Sequence, residues 1–187
     1  MNIDKNDFCL RRKFLEYFAE NLIMEVGCMY LKLYNPSKDK IVNKYENDDW
    51  RKIFNDTTEE DLKDLSTCSN VIILIWCDIS LNYSHGMIYF EENINNPCNV
   101  IFHGGIWDHD PKYYREIFRS LIFLFDFILA FKTVISTTCG INNIRADKLQ
   151  HRLCFEETKR DDYCVYKTLN KQLFKNSIFI ERFRTTK

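Results

Sequence analysis

Apolar side chains recur at helical spacing near the start of the chain. Charged residues occupy the opposite side of this pattern, and Gly27 follows as a residue type that commonly ends helices. The recurring apolar residues are Phe14, Leu15, Phe18, Ala19, Leu22 and Ile23. The pattern predicts an amphipathic helix over residues 7–26.

The next segment changes from helical spacing to alternation. Residues 28–34 alternate well enough to predict a strand, and Asn35, Pro36 and Ser37 then supply turn chemistry. A hairpin through residues 41–45 is a plausible continuation. Short helices are predicted over residues 48–54 and 57–65, the second opening with Thr57 and Glu60 at the spacing of a capping box.

Three apolar runs in the middle of the chain are separated by Asn, Ser, Gly and Pro. They cover residues 71–77, 86–91 and 100–107 and predict three antiparallel strands. Asp110 then offers a helix cap and Pro111 the favoured first helical position. Apolar residues fill nearly every turn from 117 to 131, which predicts a helix buried on most sides.

The remaining pattern predicts a strand, a short helix and two closing strands. Residues 133–139 are rich in β-branched side chains, residues 143–153 have amphipathic helical spacing, and two last strands are predicted over residues 155–158 and 163–169. The basic residues after position 169, including Arg182 and Arg184, are interpreted as a solvated tail.

Composition indicates one folded domain. The chain has 187 residues, enough for one substantial core, and 45% of them are hydrophobic. We divide the single domain into an N-terminal region (1–69), a core (70–168) and a C-terminal extension (169–187). The 26 basic and 27 acidic residues give a net charge of -1. This balance argues against nucleic acid as the default partner.

The cysteines, the first residues and the length of the apolar runs are used to predict the cellular compartment. The eight cysteines are scattered without a CxxC pair, as expected for reduced core thiols, and no metal site is predicted. The first residues are too charged for a signal peptide, and no apolar run reaches the roughly 20 residues that span a bilayer. We expect a cytoplasmic protein that makes no use of a membrane.

The order of predicted elements resembles the GNAT (GCN5-related N-acetyltransferase) family. A more specific likeness lies in the segment CGINNIRADKLQHRLCFE, residues 139–156, which resembles that family's strand, Asn-x-x-Ala-x-x-Leu helix and following strand entry. The residues in register are Asn143, Ala146, Leu149, Leu153 and Phe155. The resemblance implies an α/β (α+β) fold with a mixed, mostly antiparallel central sheet flanked by helices.

The resemblance also implies a function. A GNAT enzyme transfers an acetyl group from acetyl-CoA, its cosubstrate, to an amine, and here the acceptor could be a small molecule or a protein. The cofactor would lie between strands 100–107 and 133–139, with its pyrophosphate at the N-terminus of the helix between them. The residues implied in cofactor binding are Phe102, Gly104, Gly105, Lys112, Arg115 and Asn143. The oligomeric state stays open.

The catalytic candidates come from residue chemistry, since no motif identifies them. His103 could accept a proton from the amine, with Glu91 or Glu92 as alternative bases. The candidates for a general acid are Tyr113, Tyr114 and Tyr89.

Two departures from the family pattern keep another interpretation open. The segment HGGIWDHDPKYYRE replaces the usual phosphate loop, and Gln150 stands where many members have the tyrosine that protonates the leaving thiolate. The chain could therefore be a catalytically silent GNAT-fold structural or interaction protein, similar to some virion-internal proteins of phages. A third hypothesis is a binding module that exposes Leu10, Phe14, Phe18 and Leu22 on its first helix.

Overall fold

The computed structural model describes residues 10–18, 24–39, 58–79, 83–108 and 110–185. These residues form one eight-stranded sheet in the order β1-β2-β3-β4-β5-β6-β8-β7. The strands are β1 (Met24–Val26), β2 (Met29–Leu33), β3 (Val71–Asp78), β4 (Ser84–Glu92), β5 (Asn99–Ile106), β6 (Val134–Gly140), β7 (Phe155–Arg160) and β8 (Cys164–Leu169). The helices are α1 (Leu10–Phe18), α2 (Glu59–Thr67), α3 (Pro111–Phe131), α4 (Ile144–Arg152), α5 (Lys171–Asn176) and α6 (Ile178–Thr185).

The sheet is antiparallel except at one junction. Strands β5 and β6 run parallel, and α3 provides the crossover between them. Every other pair of neighbouring strands is antiparallel. The predicted fold class is confirmed, as is the predicted meander of three antiparallel strands.

Helices cover both faces of the sheet, and the two faces differ in size. The larger core packs strand residues such as Trp76, Phe90 and Phe102 against α1, α3, α5 and α6, and we call this side the long-helix face. The smaller core packs Ile73 and Met87 against α2, and we call it the opposite face. Alternation along a strand therefore decides which core a side chain enters.

Helix α3 forms where the sequence predicted it. The Asp110 side chain accepts a hydrogen bond from the Lys112 N–H, and Pro111 occupies the first turn. Ten of its residues are buried, so this helix is the centre of the larger core. Among the described residues, no helix is long and apolar enough to cross a membrane.

The N-terminal predictions need correction. Helix α1 is described over Leu10–Phe18, and residues 19–23 lie outside the described part of the chain. Met24–Val26, predicted as the end of the helix, is a strand paired with β2 through a turn in which Gly27 has a φ of 62°. Leu10 and Phe14 are buried against the sheet, so the hypothesis of a binding module with an exposed first helix is wrong. Leu22, the predicted hairpin at 41–45 and the helix at 48–54 lie outside the described residues.

Two further details differ from the predictions. The cap of α2 is Thr58 with Asp61, one position later than the Thr57 and Glu60 pair. The C-terminal residues fold as α5 and α6 instead of a solvated tail. Arg184 makes two hydrogen bonds of 2.8 Å to the Asp126 carboxylate of α3, which fixes α6 against the larger core.

Candidate functional site

The parallel junction between β5 and β6 is incomplete. Cross-strand pairs run from Asn99 with Val134 to Phe102 with Thr137 and then stop. Residues 103–106 of β5 continue along β4, while residues 138–140 of β6 continue along β8. The two strand ends therefore leave a gap between them that is closed at Phe102 and open towards the N-terminus of α3.

Backbone groups of β5 face this gap. The Phe102 carbonyl accepts a 2.9 Å hydrogen bond from Thr137 Oγ1, so Phe102 directs its backbone polar groups towards β6. These groups alternate in direction along an antiparallel strand. Gly104 accordingly directs its N–H and C=O into the gap, whereas Gly105 directs them towards β4, where it pairs with Met87.

Glycines on β5 and on the neighbouring strand β4 allow side chains and backbone to pack closely. Gly104 is exposed, and a side chain added there would place a Cβ 3.0 Å from Ile88 Cγ2 and 3.1 Å from the Phe102 ring. A Cβ at Gly86 on the neighbouring strand would lie 2.7 Å from the Gly105 carbonyl oxygen. The long-helix face of the gap is thus lined by bare backbone at Gly104.

His103 lies on the opposite face, directly beyond the last β5–β6 pair. Its ring stacks on that of Tyr89, with the centroids 4.3 Å apart. Burial lowers the pKa of His103 to about 4, because the charged imidazolium would lose its hydration. Glu91 follows Tyr89 on the same face of β4 and raises the pKa of the Tyr89 phenol, after the larger effect of burial. His103, Tyr89 and Glu91 therefore form one polar stripe on the opposite face, in which His103 adjoins the gap and Glu91 is level with Ile101.

Glu92 takes no part in this stripe. Its carboxylate is buried on the long-helix face, where it contacts Lys132 Nζ and accepts a 2.9 Å hydrogen bond from the Leu10 N–H. The contact ties α1 to the C-terminus of α3. Glu92 therefore holds the larger core together and does not face the gap as a base.

The N-terminus of α3 faces the open end of the gap with mixed charges. Lys112 and Arg115 are exposed in its first turns. The carboxylate of Asp110 already accepts the Lys112 N–H at 2.9 Å, so one helix-end amide is engaged by the protein itself. An anion at this helix end would meet two cationic side chains and one fixed carboxylate.

Tyr113 is separated from the polar stripe and belongs to a buried cluster. Its hydroxyl donates a 3.1 Å hydrogen bond to Asp78, and its ring stacks on His85 at 3.9 Å. Burial, followed by the Asp78 hydrogen bond, raises the pKa of Tyr113 to about 12. His85 Nδ1 lies 2.8 Å from an oxygen of Asp108. We call Asp78, His85, Asp108 and Tyr113 the helix-base cluster.

Helix α4 contributes two polar side chains near β6. Asn143 caps the helix, its side-chain oxygen accepting the Ala146 N–H at 3.0 Å. Gln150, one turn from the other end, is only 4% exposed and reaches the closed end of the gap. Its Nε2 lies 3.3 Å from Thr137 Oγ1 and 3.3 Å from the Thr138 carbonyl oxygen.

The structure thus brings some predicted site residues together and separates others. Phe102, His103 and Gly104 lie at the gap, whereas Glu91 lies one strand away on β4, level with Ile101. Lys112 is exposed in the first turn of the helix that follows β5. Tyr113 is enclosed in the helix-base cluster. The sequence analysis did not predict the pairing of His85 with Asp108. A serine and a histidine that open an apolar strand are unusual, and they could have marked His85.

Comparison with known proteins gives the fold a name. No family model and no curated protein matches the sequence. Among solved structures, a GCN5-related N-acetyltransferase from Brucella melitensis matches with a TM-score of 0.64 at 10% identity, covering 89% of this chain and 86% of that chain. An uncharacterised protein from Bacillus halodurans matches with a TM-score of 0.68 at 6% identity, covering 88% and 96%.

An aminoglycoside acetyltransferase solved in complex with coenzyme A and kanamycin also matches, with a TM-score of 0.59 at 15% identity. The match covers 80% of this chain and 98% of that chain. At these identities the likeness establishes the fold. The chain has the GNAT fold, as the sequence resemblance predicted.

Proposed function

We propose that this protein is an acyl-CoA-dependent N-acetyltransferase that transfers an acetyl group from acetyl-CoA to an amine of a small molecule or a protein. The observation that carries the proposal is the gap between β5 and β6, which opens beyond the Phe102–Thr137 pair and has exposed Gly104 on its edge. Unpaired strand backbone is suited to hydrogen bonding with an extended ligand chain that carries amides.

The backbone donors and acceptors at the gap suit the amides of the pantetheine arm of an acyl-CoA. Gly104 directs an N–H and a C=O into the gap, and its lack of a side chain lets a ligand approach the strand closely. Lys112 and Arg115 are the cations available for the phosphates at the open end. Acetyl-CoA, when bound, supplies the acetyl group as an activated thioester.

The residues beside the gap can assist transfer to an amine. A backbone N–H of β5 can hydrogen-bond the thioester carbonyl oxygen, and such donors stabilise developing negative charge. His103 is neutral at pH 7, because its pKa is lowered to about 4 by burial, and a neutral imidazole can accept a proton from the attacking amine. Glu91 is the alternative proton acceptor on the same face.

The solved structures with this fold support the proposal by analogy. Those described above include a named N-acetyltransferase and an acetyltransferase complexed with coenzyme A. Folds host many functions, so the proposal stands on the gap and on the polar stripe and not on the fold alone.

Calorimetric titration with acetyl-CoA and with free CoA at low salt tests the proposal. We expect saturable binding of both, followed by acetylation of at least one amine in a panel of small amines and peptides. Released CoA should be quantified by chromatography, because the eight cysteines of the chain would react with a thiol reagent. Absence of binding at millimolar cofactor would overturn the proposal.

A second candidate function is a silent GNAT-fold scaffold that acts through protein contacts. Two observations favour it: Gln150 cannot act as a general acid, and the Asp110 carboxylate engages an amide at the helix end where pyrophosphate would bind. Failure to bind either acetyl-CoA or CoA is the outcome that this candidate predicts.

A further inference from the structure

The side-chain amide of Gln150 has a fixed orientation at the closed end of the gap. One of its terminal atoms lies 3.3 Å from the Thr138 carbonyl oxygen, which can only accept a hydrogen bond. That atom must be Nε2, and its other contact, Thr137 Oγ1 at 3.3 Å, is consistent with this assignment. The amide oxygen, Oε1, is therefore directed away from both threonines.

Gln150 Oε1 is buried and has no hydrogen-bond partner among the described residues. A buried acceptor without a donor destabilises a folded protein, and most buried polar atoms in native proteins have a partner. The residue itself is 4% exposed, so bulk water does not supply the donor. The geometry calls for a bound group that presents an N–H or O–H to this oxygen.

The position of Gln150 indicates which part of a ligand it would meet. The gap opens towards the N-terminus of α3 and closes at Phe102 and Thr137, where Gln150 is anchored. A ligand whose phosphates lie near Lys112 would therefore bring its opposite end to Gln150. In an acyl-CoA that end carries the thioester, which has no donor, and the last amide N–H of the pantetheine arm, two carbons from the sulfur.

We propose that Gln150 Oε1 accepts a hydrogen bond from the last amide N–H of the pantetheine arm. This inference rests on the proposed function, because it requires an acyl-CoA in the gap. It gives Gln150 a binding role in place of the acid role that its amide cannot perform. Since the same amide N–H occurs in acetyl-CoA and in free CoA, Gln150 contributes equally to the binding of both.

Gln150→Met tests this inference, because methionine keeps the length of the side chain and removes the acceptor, together with the Nε2 donor that contacts Thr137 and Thr138. We expect the Kd for acetyl-CoA and the Kd for CoA to rise by similar factors, about tenfold for one buried hydrogen bond. The ligand-free variant should melt no lower than about 2 °C below the wild type, since the unpartnered oxygen is also removed. Gln172→Met, an exposed glutamine on α5, is the matched control and should leave both Kd values unchanged.

A ligand variant gives a test that does not depend on the folding of the protein variant. A CoA analogue with an ester oxygen in place of the last amide N–H should bind wild-type protein about tenfold more weakly than CoA. On Gln150→Met the analogue and CoA should bind alike, because the two changes remove the same hydrogen bond.

Three results would overturn the inference. Equal affinity of wild type and Gln150→Met for both cofactors would mean that Oε1 has no partner in the ligand. A loss confined to free CoA would identify the thiol as the donor instead of the amide. No cofactor binding by the wild-type protein would remove the proposed function together with this inference, whereas the first two results leave the proposed function intact.

Discussion

Strand β5 ends between two polar regions of opposite character. At the gap, Gly104 directs backbone groups into open space and Gln150 has a buried oxygen without a partner. At the helix-base cluster, a few residues further along the chain, Asp108 and Asp78 are hydrogen-bonded to His85 and Tyr113. The first region leaves polar groups available to a ligand. The second uses its two carboxylates to hold the loop between β5 and α3, although the buried Nε2 of His85 has no hydrogen-bond partner among the described residues.

The contrast distinguishes polar groups that can bind a ligand from polar groups that stabilise the fold. Asp108 also accepts the Asp110 N–H at 2.9 Å, and Asp110 in turn caps α3, so the cluster connects strands β3 and β4 to the helix end. These contacts fix the platform on which phosphates would rest. Because the platform is fixed by its own hydrogen bonds, the gap can stay open without loosening the fold.

The largest expected effect is on the rate of acetyl transfer, and it concerns His103 at the gap. His103→Phe keeps an aromatic ring against Tyr89 and removes both nitrogen atoms. If His103 accepts the amine proton, the rate of acetyl transfer should fall about 100-fold or more, while the Kd for acetyl-CoA changes little. Steady-state kinetics on the identified amine, together with calorimetry, measure the two quantities.

Tyr89→Phe is the control for this variant, because it keeps the same ring stack and removes only the hydroxyl. Because Tyr89 is also a candidate general acid, a rate within about threefold of the wild type would exclude that role for its hydroxyl, and a large loss would assign it. A full rate for His103→Phe would assign the proton to another acceptor, and Glu91→Gln would then be the variant to measure.

The next effect addresses the helix-base cluster. Asp108→Asn keeps the shape of a fully buried side chain and weakens its hydrogen bond to His85. We expect the free energy of unfolding to fall by about 2 kcal/mol, the value of a charged hydrogen bond. Urea unfolding measures it, and Asp162→Asn, at an exposed position, should change it by less than about 0.5 kcal/mol. An unchanged stability for Asp108→Asn would contradict the structural role of the cluster.

The sequence predicted most of the secondary structure because the relevant signals are local. The apolar runs between residues 71 and 107, the cap at Asp110 and the Asn143 helix are all readable within a few turns of chain. Strand β1 was missed, because its three residues continue the apolar pattern of the preceding helix and are defined by pairing with β2. Helices α5 and α6 were missed, because the burial of Phe174 and Ile180 against α3 is a tertiary contact.

The candidate site was less predictable than the fold. Gly104 and His103 stood out through composition, since only five glycines occur in the chain and two of them are adjacent here. The pairing of His85 with Asp108 joins residues 23 positions apart, and it depends on β4 starting at Ser84 where the sequence predicted Gly86. The unpartnered oxygen of Gln150 follows from the orientation of one side chain, which no sequence pattern contains.

A smaller effect is the contribution of His103 to the pH dependence of the free energy of unfolding. The folded pKa of His103, about 4, lies below the value near 6.5 of an unfolded histidine. Between pH 6.5 and about 4 the unfolded chain therefore takes up a proton that the folded chain does not, and stability falls as the pH falls through this window. From pH 7 to pH 5, wild type should lose about 1 kcal/mol more than His103→Phe in urea unfolding. Equal losses would mean that His103 is solvated.

The smallest expected effect lies where the two regions meet, at the start of α3. Lys112 is exposed and its Nζ lies 5.5 Å from the centre of the Tyr113 ring, so its charge lies above the helix-base cluster. Lys112→Glu should raise the Kd for CoA about three- to fivefold at low salt. The effect is small because an exposed charge contributes at most about 1 kcal/mol to the free energy of binding. Added salt should shrink the difference, since screening weakens exposed charges first.

Lys175→Glu makes the same charge change on α5 and should leave the Kd unchanged. Equal effects of the two variants would show that only net charge matters, and the N-terminus of α3 would then have no phosphate site for the fixed loop to support.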